Sequence, residues 1–304
     1  MIQHLADGLL VGSVLSLGAV GLTMVMHVLR FANFSHAELL SIGAYSALVF
    51  DAVFSAIMPA LATKLAPLSM TWALALSMVF ALIVTACSAF LIDRLVFRRV
   101  RAKGSELSMV FASFGVAMII RNVIGLIFGL GTQHYSKDIV FAVVISRDPM
   151  LLVKPDQVFT LIAALVIMVI LHLILSRTTL GYAFRAVAEN PTLAQINGIR
   201  LSHMIALVWL VGGGLAAIAG VFYGLTNQIG PMIGRDLVLP VFAATIVGGI
   251  GSIYGAVLGG FIVGIAANVA LVILPSGYSP SVPFMMILAV LLLRPHGLFG
   301  ESRP

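Results

Sequence analysis

Charge is what this 304-residue chain has least of. Lys and Arg number 17 and Asp and Glu 11, so charged residues make up 9% of the sequence against 61% hydrophobic. A soluble globular chain has about 25% charged residues, and the shortfall excludes that class. Cysteine is nearly absent. Cys87 stands alone, which rules out a disulfide framework or a cysteine metal site within the chain. Strict apolar–polar alternation is missing too. A membrane β-barrel needs it over segments of about 10 residues, whereas the apolar runs here are unbroken. No Gly-x-x-x-x-Gly-Lys-Ser/Thr loop occurs, so ATP cannot bind here by a P-loop. His36-Ala37-Glu38 has the wrong spacing for a helical metal pair, and no metal site is expected. No serine lies in a nucleophile elbow, and the apolar runs lack the Asp, Glu and His chains of proton-driven pumps. An enzyme is not expected, nor is a cofactor in this chain.

What is present is apolar sequence in long stretches. Mean hydropathy is +1.14. Runs of about 20 apolar residues suffice to cross a hydrocarbon core of about 30 Å. They predict an all-α polytopic membrane protein of about 8–10 transmembrane helices, nearest to nine. Spans are expected over 8–29, 71–92, 108–130, 157–175, 204–225 and 282–293. The stretch 237–274 is too long for one crossing, so two crossings joined at its glycine cluster are expected. Gly251, Gly255 and Gly259 fall at i, i+4 and i+8. Together with Gly248 and Gly249 they are expected to pack helix on helix, as are Gly8, Gly12 and Ser16 in the first span.

Between the first two spans, Arg30, Asn33, Ser35, His36 and Glu38 crowd ahead of a short apolar run that meets Asp51. Two readings stand. One is a central, discontinuous helix of the kind tolerated where it faces protein or water, with Asn33, Ser35, His36 and Glu38 at a translocation path or gate. The other is an interfacial loop with a tight span. For the four polar residues the alternative to a transport role is a capped helix start, with Asn33 or Ser35 as cap and Ser35 and Glu38 as a capping box. A polar turn before a small-residue run recurs at 235–251, which allows two related halves. Arg121 and Asn122 lie well inside an apolar run. A charge there costs about 2.5–3.5 kcal/mol on insertion scales, so it should face the bundle interior, water or a headgroup. The loop 131–156 mixes Lys137 and Lys154 with Asp138, Asp148 and Asp156.

The net charge of +6 sits at the ends of apolar runs and forms no patch interleaved with aromatics, so nucleic acid is not an expected partner. Arg94, Arg98, Arg99, Arg101 and Lys103 form the densest basic cluster and predict a cytoplasmic loop. Two further crossings return 177–203 to that side, which puts the N-terminus outside and the C-terminus inside. This stretch, RTTLGYAFRAVAENPTLAQINGIRLSH, predicts two short helices. Thr178 or Thr179 caps the first. Asn190 caps the second, Pro191 opens it and Gly198 ends it. Phe184, Val187 and Ala188 share one face of the first, while Arg185 and Glu189 pair at i, i+4. Leu193, Ile196 and Asn197 share a face of the second. One apolar side can lie on the bundle and the other needs a partner.

At this loop the sequence resembles the permease subunits of ABC importers, whose signature is a cytoplasmic loop with Glu-Ala-Ala or a degenerate form and a later glycine. The matching residues are Glu189, Asn190 and Gly198 within RAVAENPTLAQINGI, and Arg185 and Ala188 join them in the expected ATPase-coupling loop. GLTMVMHVLRFANFSHAELLSIGAY, IVGGIGSIYGAVLGGFIVGI, LPSGY and LLRPHGLFG resemble blocks of the branched-chain amino acid permeases of the high-affinity Leu/Ile/Val system, of the shorter, LivH type. Ala37 departs from the family's usual glycine, and Gln195 and Asn197 are more polar than its loop. The resemblance implies an ABC importer permease fold, one permease domain over 1–304 with 177–203 as its coupling loop. It implies a LivM-type second permease, two cytoplasmic ATPase subunits carrying ATP and Mg, an external or periplasmic substrate-binding protein, and a bacterial inner membrane. Its substrates are chiefly Leu, Ile and Val, although related members take urea, short amides or other amino acids. An ion-coupled secondary carrier is the rival reading.

Overall fold

A computed structural model describes residues 1–136, 142–147 and 150–300; Lys137, Asp138 and Asp148 of the mixed loop lie outside them. The spans read from apolar runs form as helices. They are α1 (Ile2–Leu29), α2 (His36–Ile57), α3 (Trp72–Ile92), α5 (Glu106–Phe128), α6 (Pro155–Arg177), α9 (Leu201–Thr226), α10 (Ile233–Gly248), α11 (Ile253–Ala270) and α12 (Ser281–Leu293). A π-helical turn, Asp93–Phe97, carries α3 into the basic α4 (Arg98–Lys103), where Arg101 pairs with Asp93 at 2.5 Å. The short α7 (Thr179–Glu189) and α8 (Pro191–Ile196) link α6 to α9. The mixed loop contributes a small antiparallel ribbon, β1 (Val143–Arg147) and β2 (Met150–Val153). Gln3 holds it to α1 through two 2.9 Å bonds with the Leu152 main chain.

Among the described residues, seven helices are long and apolar enough to cross a membrane. The expected count of about nine is met only if the 16-residue α10 and the 13-residue α12 are included. α10 is short for a structural reason. After α9, residues 227–232 leave the helical path, fold back into the bundle, and start a helix only at Ile233. The segment 30–35 does the same after α1. The apolar run before Asp51 is therefore neither short nor interrupted. α2 is continuous for 22 residues, passing through Asp51, whose carboxylate accepts the Thr71 hydroxyl at 3.1 Å. The discontinuity lies before α2, not within it.

These two returns give the bundle a two-fold plan. α1 packs along α11 and α9 along α3; α2 packs on α3 and on α9, α10 on α11 and on α1; and α2 meets α10. Exchanging the triplet α1–α2–α3 with α9–α10–α11 maps this set of contacts onto itself. The central seams are lined by small residues. A Cβ at Gly12 would sit 2.8 Å from the Phe261 Cα, and one at Gly43 2.5 Å from the Ala217 Cα. Backbones this close gain dispersion contacts that lipid cannot offer. α5, by contrast, is largely exposed and rests mainly on α2.

Candidate functional site

The two returning segments bring the N-termini of α2 and α10 together in the middle of the bundle. Asn33, Ser35, His36 and Glu38 are all at most 1% exposed. This excludes the interfacial-loop reading. The capping box does not form either. The Ser35 hydroxyl turns back to donate to Asn33 Oδ1 at 2.7 Å, and the Glu38 carboxylate points away from its own helix start. It accepts from Arg121 of α5, through Nε at 2.9 Å and through Nη2, and from the Ser41 hydroxyl at 3.3 Å. Ser41 in turn accepts the Gly234 N–H of α10 at 2.9 Å. A Cβ on Gly234 would overlap the Glu38 carboxylate, which would have to give way and disturb its bonds to Arg121 and Ser41. One chain of bonds thus ties α10, α2 and α5. A second tie joins α5 to the return segment, as the Phe34 N–H donates to Ser113 Oγ at 3.1 Å. His36 presses on Gly21 and leans on the Gly18 backbone, without a well-formed hydrogen bond from either ring nitrogen.

Seven residues before Arg121 on α5, Phe114 stacks on Phe34 with centroids 4.0 Å apart, and Phe34 stacks on Phe242 of α10 at 4.5 Å. An aromatic plug therefore joins α5 and α10 to the return segment just ahead of α2. It lies on the side of the pair nearer the end of the bundle that carries α4, α7 and α8, because α5 starts at that end and α10 finishes there.

At that end α7 lies on the bundle through the predicted face: Phe184, Val187 and Ala188 are buried, and Phe184 meets the His27 ring edge-on at 5.8 Å. Asn190 caps α8, accepting the Leu193 N–H at 3.0 Å, and Gly198 turns the chain at φ 83°. Two expectations need correction. Thr178 stands at the N-cap of α7, but its hydroxyl donates back to the Ile174 carbonyl at 2.6 Å and accepts no N–H of the helix. Arg185 donates to the Leu175 carbonyl at 2.6 Å and lies over the Tyr182 ring, 4.8 Å from its centroid; among the described residues it makes no ion pair with Glu189. On α8 Ala194 is buried, while Leu193 is 55% and Ile196 77% exposed. Glu189, Asn190, Asn197 and Gly198 are exposed beside them.

Arg30 heads the polar cluster after the first span but stands outside the expected path, gate and coupling residues. It adopts the left-handed conformation at φ 55° where α1 ends. Its guanidinium donates to the Ala188 and Glu189 carbonyls at 3.3 and 3.2 Å, the free acceptors at the C-terminus of α7, where a cation is favoured. The segment that leads to Glu38 therefore begins on the loop helix. A cavity of about 700 Å³ lies alongside, lined by Arg30, His172, Phe184, Arg185, Gly251 and Tyr254.

The glycines at 248–259 divide by role. Gly248 and Gly255 face each other across α10 and α11, and Gly259 meets the Ala244 carbonyl. Gly249 and Gly251 are not part of a helical stripe. They sit in the turn between the helices at φ 109° and 94°, where an L side chain is strained. The RPHGLFG block explains the turn's other neighbour: the Leu298 and Phe299 N–H groups donate to the Val247 and Gly248 carbonyls at 2.9 and 3.0 Å, closing the end of α10.

A helical membrane bundle in which two helices begin at mid-depth around a buried ion pair, with an amphipathic helical pair at one end, has the layout of a transport subunit. The comparisons with known proteins agree. Residues 4–292 match the family model of the branched-chain amino acid transport system, permease component, and the chain belongs to that family. It is 32% identical to the high-affinity branched-chain amino acid transport system permease protein BraD of Pseudomonas aeruginosa, over 99% of this chain and 96% of that protein. It is 30% identical to LivH, the permease protein of the same name in Escherichia coli K12, again over 99% and 96%. A probable LivH of Methanocaldococcus jannaschii is 28% identical over 97% and 91%. No solved structure matches the chain. The chain is a multi-pass membrane transport subunit of an ABC transporter and not itself an enzyme.

Proposed function

We propose that this chain is the LivH-type permease of an ATP-driven importer of branched-chain amino acids. The observation that carries the proposal is similarity along the whole chain to permeases named for that transport. In this reading the whole chain acts as one permease domain, and 177–203 is its coupling loop. α7 is held on the bundle, and the exposed Leu193 and Ile196 of α8 enter a groove of a cytoplasmic ATPase. Arg185, Ala188, Glu189, Asn190 and Gly198 shape that contact. A LivM-type permease completes the pore, two ATPases supply ATP and Mg, and a substrate-binding protein delivers the ligand at the opposite face. The basic loops 94–103 and 177–203 lie in the cytoplasm of a cell whose inner membrane holds the complex. Asn33, Ser35, His36 and Glu38 lie at the path or its gate, and Gly248, Gly255 and Gly259 pack α10 closely on α11.

Uptake of labelled leucine and labelled urea by the full complex in liposomes tests this. Leucine should enter only with ATP inside the ATPase compartment. Entry of urea in its place moves the chain to a urea or amide importer. Entry without ATP that follows an ion gradient makes it a secondary carrier and ends the proposal.

A further inference from the structure

Glu38 and Arg121 are an expensive pair. Two charges have been taken out of water in a region where ionisable residues are rare and mark substrate routes, and a well-packed apolar pair is often at least as stable in such a place. The pair is also lopsided. The Glu38 side chain is 1% exposed and that of Arg121 24%. Arg121 stands on α5, the loosely held helix, while Glu38 is fixed by Ser41 and crowded by Gly234 where α2 and α10 begin. The pair can therefore open on one side only, by movement of Arg121 with α5.

We propose that Glu38 and Arg121 are a binding site for the charged end of a zwitterionic α-amino acid in transit. The substrate carboxylate takes the Arg121 guanidinium, whose planar fork matches it, and the substrate ammonium takes the Glu38 carboxylate. This exchange leaves every charge paired, because the ligand brings one of each sign. A lone amine or a lone carboxylate would leave one buried charge without a partner, and urea has no charge to trade. The plug of Phe34, Phe114 and Phe242 lies about 10 Å further along α5, seven residues at about 1.5 Å each, and presents aromatic rings toward an aliphatic side chain. The inference rests on the reading of the chain as an amino-acid importer and adds the residues that would hold the substrate.

The full complex in liposomes, with its binding protein, tests it through leucine imported and ATP hydrolysed on the same vesicles. A wild-type complex that imports no leucine defeats the importer reading itself. With wild-type import established, the double variant Glu38→Gln/Arg121→Gln removes both charges and leaves a hydrogen-bonding amide at each position, the one at 121 on a shorter side chain than arginine's. If the pair only supports the fold, leucine moved per ATP is unchanged in the complexes that assemble. The site predicts that hydrolysis stimulated by the binding protein stays within about twofold, while leucine moved per ATP falls at least about tenfold, the loss expected of charge-assisted contacts. Glu38→Asp keeps both charges and withdraws the carboxylate by one methylene, and is predicted to lower leucine per ATP about fivefold through lost alignment. Wild-type leucine per ATP in the double variant overturns the site. If that variant does not assemble, wild-type yield in Glu38→Asp overturns it.

Discussion

At the scale of single residues, space and charge set different rules in this bundle. Gly43 and Gly115 show the first. A Cβ on Gly43 would press on the Ala217 Cα, whereas nothing lies within 4 Å of one on Gly115. Gly43→Ala is expected to push α2 from α9 and cost about 1–3 kcal/mol, as overpacking does. Gly115→Ala should cost nothing and gain slightly in helix propensity. The fraction of protein still monodisperse after graded heating in detergent separates them. If both behave as wild type, the α2–α9 seam is looser than described. Glu38 shows the second rule. Its partner Arg121 is 83 positions away, and no local pattern announces the contact. The chain advertised two costly charges in apolar runs, and that cost alone was the legible signal. Which charge meets which depends on helix packing that neither run encodes by itself. The caps of α8 read differently, since Asn190, Pro191 and Gly198 act within one turn of themselves. Thr178 failed as a cap for an equally local reason, its hydroxyl's bond back to the Ile174 carbonyl, which a list of favoured cap residues does not weigh.

At the scale of elements, α7 and α8 divide the work between grip and transmission. α8 turns Leu193 and Ile196 outward, and a charge placed there should meet an apolar groove. Ile196→Asp is expected to weaken ATPase binding by at least about tenfold, the typical reach of a buried apolar anchor. Co-purification of the ATPase with the permease reads it, and full recovery of the ATPase would mean that α8 faces lipid or water instead. Transmission falls to Arg30, which joins the α7 C-terminus to the segment that enters the bundle. Arg30→Ala should leave ATPase binding and hydrolysis near wild type but lower leucine moved per ATP about fivefold, the lower end of known coupling energies. Equal loss of hydrolysis and uptake would point to misassembly and not to uncoupling. The spans of these elements were legible from hydropathy because each is a long apolar run. The starts of α2 and α10 were not, because a helix that begins inside the bundle is bounded by polar and turn residues that look, in one dimension, like any surface loop.

For the whole molecule, the two-fold plan decides what can move. The triplets α1–α2–α3 and α9–α10–α11 are interlocked by seams of small residues, α1 on α11, α2 on α9 and α9 on α3, while the junction where the starts of α2 and α10 meet α5 is made of one ion pair, a serine relay and three stacked rings. Glycine seams are close and short-ranged, so separating them forfeits contacts at once; the junction can exchange its partners one by one. Motion driven from the α7–α8 end is therefore expected to open the junction rather than shear the triplets apart, with Phe34 and Phe242 parting from their 4.5 Å stack. Replacing Cys87, the only cysteine, with serine provides a clean background for Phe34→Cys/Phe242→Cys. A short, reducible thiol cross-linker should join the two positions. Joined, the complex is expected to hydrolyse ATP and import no leucine, and reduction should restore uptake to the level before cross-linking. Import at an unchanged rate while the bridge is intact would show that Phe34 and Phe242 do not part during transport, and that the path runs elsewhere in the bundle.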